Sequence, residues 1–168
     1  EPAITEVLVF IGASDGQFYA LDRATGEERW KVQLDDKITA GANLIDNPNG
    51  DGQWVLVAGN DGLLRCLQAE DGQEVWSYMT DNYINGAPAM LDNQRIIFGG
   101  CDAFLHIVNV ESGEAIEQYE TTAYIPSSVA VYDGIGYSGN YANEVLAFDP
   151  GDRGELWVYS DRQFPFFS

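Results

Sequence analysis

Short apolar runs bounded by Gly, Asp, Asn and Ser follow one another along the whole chain, and none keeps the period of about 3.6 residues that a helix needs. Some alternate apolar with polar or small residues, as in Phe18-Tyr19-Ala20-Leu21. Others are continuous: Val7 to Ile11, Trp54 to Ala58, Arg95 to Phe98, and Ile135 to Tyr137. Alternation marks a strand with one buried face, and a short unbroken run marks a strand buried on both. The pattern predicts an all-β chain of short antiparallel strands.

Laid on itself, the chain repeats about every forty residues, the period of propellers and solenoids. Gly12 to Asp22, Gly59 to Gln68, Gly99 to Asn109 and Gly139 to Asp149 occupy equivalent places. Each is followed by a polar turn and a strand that usually carries Trp. The register is sharpest in the spacing from Ala20 to Trp30, Cys66 to Trp76 and Ala147 to Trp157; the third unit keeps the frame as Ile107 to Glu117 but has no Trp. Ahead of the continuous runs lie small, apolar segments predicted as the innermost strands, Ile38 to Ile45, Ile84 to Leu91 and Ile125 to Tyr132. The units span about 1–37, 38–80, 84–122 and 125–161, with the opening of a further strand at 164–168.

The turns carry the mechanism. Asp15-Gly16 and Asp61-Gly62 stand where a tight hairpin demands a positive φ, which glycine adopts without steric cost. Asn143 takes that slot in the fourth unit. Ala103 takes it in the third, where strain or a different turn type is expected. Thr25-Gly26, Asp71-Gly72 and Ser112-Gly113 repeat the device one hairpin later.

The run Ala20-x-Asp22-x-x-Thr25-Gly26-x-x-x-Trp30 resembles the repeat of the pyrroloquinoline-quinone (PQQ) type β-propeller family. The second unit departs from it with Gln68 for the Asp, and the fourth with its glycine displaced to Gly154. The resemblance implies blades of four antiparallel strands around an axis, with Trp30, Trp76 and Trp157 docked between neighbouring blades. Such rings normally close with seven or eight blades, so the expectation is part of a larger ring. The first blade is expected to be incomplete, with only Ala3 to Thr5 ahead of Val7. A four-bladed ring closed by Phe164 to Ser168 is the alternative.

Charge narrows the partners. With 8 Lys and Arg against 27 Asp and Glu, the net charge is −19 and repels nucleic acid and anionic headgroups. No apolar stretch is long enough for a membrane helix. The opening Glu1-Pro2-Ala3 has no basic leader, and any signal peptide is expected to have been removed. Cys66 and Cys101 form no CxxC pair and, with the single His106, no zinc set. Two buried thiols are expected, with a disulfide as the alternative.

The family resemblance also implies PQQ sites in its dehydrogenase members, built on adjacent cysteines, a Trp stacked on the quinone and an Asp base, with Ca²⁺ beside them. This chain has no adjacent cysteines, its repeat tryptophans fall in docking frames, and Asp22 and Asp149 lie in turns where they accept backbone N–H groups. No PQQ is expected in this segment, and no catalytic residue emerges. The loop Asp46-Asn47-Pro48-Asn49-Gly50-Asp51-Gly52 places Asp46, Asn49 and Asp51 as oxygen ligands of a weak Ca²⁺ site, or forms a plain polar turn. Asn43, Asn85, Ser127 and Ser128 should line the axis, with Tyr83 and Tyr124 at its rim. The resulting expectation is a non-catalytic, extracytoplasmic scaffold for a cationic or strand-donating protein partner, similar to the scaffold propellers of outer-membrane barrel assembly. Self-association or further blades would cover its open ends. A fragment of a quinoprotein dehydrogenase and a Ca²⁺-assisted adhesion or glycan-binding propeller are the alternatives.

Overall fold

The computed structural model describes residues 1–151 and 154–160. These residues contain no helix, so none long and apolar enough to cross a membrane. Their strands pair into four separate antiparallel sheets of four. Blade 1 holds β1 (Ala3–Ile4), β2 (Leu8–Gly12), β3 (Gln17–Asp22) and β4 (Glu28–Gln33); blade 2 holds β5 (Asn43–Asp46), β6 (Gln53–Ala58), β7 (Leu63–Gln68) and β8 (Glu74–Met79). Blade 3 holds β9 (Ala89–Met90), β10 (Arg95–Gly99), β11 (Phe104–Asn109) and β12 (Ala115–Glu120). Blade 4 holds β13 (Ala130–Tyr132), β14 (Ile135–Gly139), β15 (Glu144–Asp149) and β16 (Gly154–Ser160).

The spacing of ten residues that sets the repeat is a cross-strand pair. Ala20 faces Trp30, Cys66 faces Trp76, Ile107 faces Glu117 and Ala147 faces Trp157. Immediately after each pair the register slips, leaving one extra residue in the outer strand, Arg29, Val75, Ile116 or Leu156. A bulge at one fixed position twists every outer strand alike and aims its aromatic residue the same way.

Two expectations about the inner strands are corrected. Blade 1 is a full four-stranded sheet, because Ala3 and Ile4 pair with Phe10 and Val9 in a strand as short as β9. The inner ladders also begin later than Ile38, Ile84 and Ile125, at Asn43, Ala89 and Ala130. Those isoleucines are buried anchors of the connectors instead. Segment 164–168 lies outside the described residues.

Turn chemistry follows the residues. Gly16, Gly62, Ala103 and Asn143 all take positive φ, at 83°, 78°, 68° and 66°. Ala103 therefore accepts the strained conformation, at about 1–2 kcal/mol. Its carbonyl is held by the amide and hydroxyl of Thr121, at 2.8 and 2.9 Å.

The core lies between blades, in three apolar clusters. Blade 1 offers Phe10, Phe18 and Ala20 to Val55, Val57 and Leu67 of blade 2. Blade 2 offers Leu56, Leu64 and Cys66 to Ile96, Phe98 and Val108 of blade 3. Ile97, Leu105 and Ile107 of blade 3 meet Leu146 and Phe148 of blade 4. Each full burial of a large apolar side chain contributes about 1.5–3 kcal/mol.

Candidate functional site

Antiparallel order puts the turns of this wheel on two faces. One face carries the β2–β3, β6–β7, β10–β11 and β14–β15 turns together with the connectors between blades. The other carries the remaining hairpins. On the first face the connectors present Lys37, Tyr83 and Tyr124 at equivalent places. Their carbonyls accept the amides of Asn60, Cys101 and Tyr141 at 3.0, 2.9 and 3.1 Å. Thr80 Oγ1 donates within the second connector and to Gly62, as Thr121 Oγ1 does in the third. The backbone is thus pinned while the rings stand out: Tyr83, Tyr124 and Tyr141 are about half exposed, beside the exposed acids Asp35, Asp36 and Asp81. The result is a rigid aromatic and acidic rim, suited to protein contact because tyrosine supplies area at little entropic cost.

The expected axial residues stitch the blades together. Asn43 Nδ2 donates to Pro88 O at 3.0 Å, and the Ala87 amide donates to Ser128 Oγ at 3.0 Å. Asn85 Oδ1 lies 2.9 Å from the Thr39 hydroxyl, and its Nδ2 donates to Cys101 Sγ at 3.3 Å. Ser127 is buried, with its hydroxyl against Ser138 and Gly139. Cys66 and Cys101 are both free and buried, and burial pushes both thiols up.

Trp30 and Trp76 dock alike. The Trp30 indole N–H donates to Ala69 O at 3.1 Å and that of Trp76 to Val110 O at 2.9 Å, in each case on the following blade. Each ring lies on the turn glycine of that blade, Gly72 or Gly113. Trp157 departs from the expectation: it is 48% exposed, because among the described residues no blade follows β16 to receive it. Where the third unit has Glu117 instead of Trp, Tyr119 two residues on takes over, packing edge-on against Phe148 at 4.1 Å and bonding Glu117 through its hydroxyl. Motif matching missed Tyr119; its place in the frame, two after the Trp slot like Tyr78, was the available signal.

Tyr78 meets His106 across the blade 2–3 boundary. Gln118 Nε2 donates to Tyr78 Oη at 2.6 Å, Tyr78 donates to His106 Nδ1 at 3.1 Å, and His106 Nε2–H donates to Asp102 at 3.0 Å. The imidazole also stacks on Phe98 at 5.0 Å. Burial lowers its pKa below the ordinary value, against the opposing pull of Asp102. Blade 2 has Arg65 in the equivalent place, ion-paired to Asp61 at 2.7 Å. These are buried supports between blades.

Asp22 caps its turn as expected: its Oδ1 accepts the amides of Ala24 and Thr25, both at 2.9 Å. Arg29 at 2.7 Å, with those amides, holds its carboxyl down at about 2. In the Asp46–Gly52 loop, the organising residue is Asn47. Its Oδ1 accepts the Asn49 amide at 2.9 Å and its Nδ2 donates to Asp51 O at 3.2 Å. The Asp46 carboxylate accepts from Gln53 Nε2 at 3.3 Å. Among the described residues no three His, Cys, Asp or Glu side chains gather as a metal set.

The comparisons with known proteins agree with this architecture. Residues 1–149 match the family model described as "Outer membrane protein assembly factor BamB". BamB of Shewanella oneidensis is 25% identical over 103 residues, covering 57% of this chain and 26% of that protein. The crystal structure of BamB from Moraxella catarrhalis superposes with a TM-score of 0.77 at 27% identity, over 94% of this chain and 48% of that one. The computationally designed Ika8 protein superposes at 0.82 over 99% of this chain and 50% of its own, and at 20% identity it speaks for the fold alone. The chain spans about a quarter of the curated relative and about half of each solved chain. With four register-matched repeats and a match over residues 1–149, the chain belongs to the PQQ-type β-propeller family of the outer membrane protein assembly factor BamB.

Proposed function

We propose that this chain serves as a non-catalytic scaffold in an extracytoplasmic compartment, holding a protein partner during outer-membrane protein assembly. The rim carries this reading: Tyr83 and Tyr124 stand out from connectors, and Tyr141 from the β14–β15 turn, where backbone hydrogen bonds between connector and turn pin the chain. A rigid wheel presents such rings without an ordering cost at the moment of binding. The surrounding negative charge favours a basic partner and speeds its approach, and the outer edge of a blade, such as the seven-residue β16, can accept a partner's strand. Family membership supports the scaffold role. The Asp46–Gly52 loop keeps a second reading open, a Ca²⁺-assisted adhesion surface.

Photo-crosslinking residues placed at positions 83 and 124 test the proposal in bacteria exporting the chain. Position 132, on the opposite face and 78% exposed as Tyr132, is the control. Crosslinks to outer-membrane assembly proteins are expected from 83 and 124 and not from 132. Equal labelling from all three, or none from the rim, would overturn the assignment.

A further inference from the structure

Two Asn-Gly steps occur in the chain, Asn49-Gly50 and Asn85-Gly86. Such a step carries chemistry of its own. Glycine has no side chain to shield its backbone nitrogen, and it lets the main chain fold back onto the preceding carboxamide.

The fold treats the two steps in opposite ways. Asn85 Oδ1 accepts the Thr39 hydroxyl at 2.9 Å, and Asn85 Nδ2 donates to Cys101 Sγ at 3.3 Å. Gly86 is buried so tightly against the next connector that a Cβ would stand 2.1 Å from Ser127 O and 2.8 Å from Ser128 N. Asn49, by contrast, is exposed, and its side chain makes no hydrogen bond among the described residues. Gly50 is also exposed, a Cβ there would meet nothing within 4 Å, and its N–H reaches Asn47 O only at 3.4 Å. Asn47 has no such freedom. Its side chain holds the Asn49 amide and the Asp51 carbonyl, and it precedes Pro48, whose nitrogen bears no hydrogen.

We propose that Asn49 is a site of spontaneous covalent modification in the folded chain, losing its side-chain amide through a cyclic imide, while Asn85 is protected. Hydroxide or a buffer base takes the Gly50 amide proton, and the nitrogen attacks Asn49 Cγ. A Gly50 N–Cγ bond forms, the Cγ–Nδ2 bond breaks, and Nδ2 takes up a proton and leaves as ammonia. Water then opens the ring. Addition at Cγ gives aspartate, and addition at the main-chain carbonyl carbon gives isoaspartate, with the chain continuing through the side chain. One water is consumed and one ammonia released, with no oxidation. Either product puts a carboxylate between Asp46 and Asp51 and takes the net charge from −19 to −20. Isoaspartate also adds a methylene to the main chain just ahead of the Asp51 and Gly52 carbonyls that Asn47 Nδ2 and its amide hold at 3.2 and 3.1 Å. The Asp46–Gln53 pair closes the ladder outside this loop, so the strands keep their register. The loop belongs to the β5–β6 hairpin, on the face away from Tyr83 and Tyr124, so the rim is left intact.

Incubating the chain in mildly alkaline buffer, followed by trypsin and mass spectrometry of peptides 38–65 and 66–95, tests the proposal. A gain of one dalton is expected at Asn49, with isoaspartyl methyltransferase labelling of the same peptide. The mass gain separates it from isomerisation at Asp51-Gly52, which leaves the mass unchanged. Conversion at Asn49 should outpace that at Asn85 about tenfold or more, since the two hydrogen bonds of Asn85 must open first. In urea, where both steps are exposed, the rates should converge. Gly50→Ala fits the loop, because Gly50 has no positive φ and open space around it; it should keep the wild-type circular dichroism and slow the conversion several-fold. An unchanged Asn49, equal rates at Asn49 and Asn85 in the folded chain, rates that stay apart in urea, or indifference to Gly50→Ala would each overturn the assignment.

Discussion

Replacing Gly113 with alanine should cost about three times as much as the same change at Gly26, although both sit in the same turn of their blades. Their φ angles, 69° and 74°, impose a similar backbone penalty of about 1–2 kcal/mol, offset by about 0.4–1 kcal/mol from a stiffer unfolded chain. At Gly26 that is the whole effect, since the space around it is open. At Gly113 the new Cβ would lie 2.5 Å from Trp76 Cε3 and 2.6 Å from Cδ2. The indole must retreat while its N–H holds Val110 O at 2.9 Å, and such overpacking adds about 1–3 kcal/mol. The expected losses are about 1 kcal/mol for Gly26→Ala and about 3 kcal/mol for Gly113→Ala. Gly72→Ala falls between them, because its contact with Trp30 is 2.8 Å and that ring is less enclosed. Urea unfolding followed by far-ultraviolet circular dichroism measures all three. In a Trp76→Ala background the clash has no partner, so the Gly113 penalty should drop by about 2 kcal/mol. Losses at Gly26 and Gly113 within about 0.5 kcal/mol of each other, or no coupling to Trp76, would refute the dock geometry.

Trp76→Ala should cost about 3–5 kcal/mol in the same assay, and Trp157→Ala less than about 1 kcal/mol, since only the first leaves a buried cavity. His106 is buried with a lowered pKa, so the unfolded chain binds its proton first; its contribution is whole above about pH 6.5 and is lost as the pH falls towards the folded value. Urea midpoints from pH 7.5 to 5 should therefore show a loss on acidification that His106→Gln abolishes, and an unchanged slope in that variant would reject the assignment. We propose that Asp46, Asn49 and Asp51 bind Ca²⁺ weakly: Ca²⁺ should raise Tm more in the wild type than in Asp51→Ala at equal ionic strength. An equal response would leave the loop as a turn tied by Asn47. The purified chain should carry no PQQ, and a quinone absorption band would contradict that.

The rim was only partly legible. Repeat position named Tyr83 and Tyr124, but Tyr141 joins them only because its amide meets the Tyr124 carbonyl across a connector. Likewise, the sequence marks Asn43, Asn85, Ser127 and Ser128 as polar and axial, and only the packed blades name their partners: backbone groups for Asn43, Ser127 and Ser128, and the side chains of Thr39 and Cys101 for Asn85.

The features legible in the chain alone are local and periodic. Alternating and continuous apolar runs specify strands, Asp-Gly and Asn turns specify hairpins, and the spacing from Ala20 to Trp30 specifies a cross-strand pair, because all three act over a few residues of chain. What each face touches depends on how the blades pack. Gly72 and Gly26 share a motif, yet one is buried under an indole and the other is open. Trp76 and Trp157 share a frame, yet one is 7% and the other 48% exposed. Tyr119 stands in for a missing Trp only because Phe148 lies opposite it in the next blade. Burial in a repeat wheel depends on the neighbouring blade, a contact some forty residues away that no local pattern encodes.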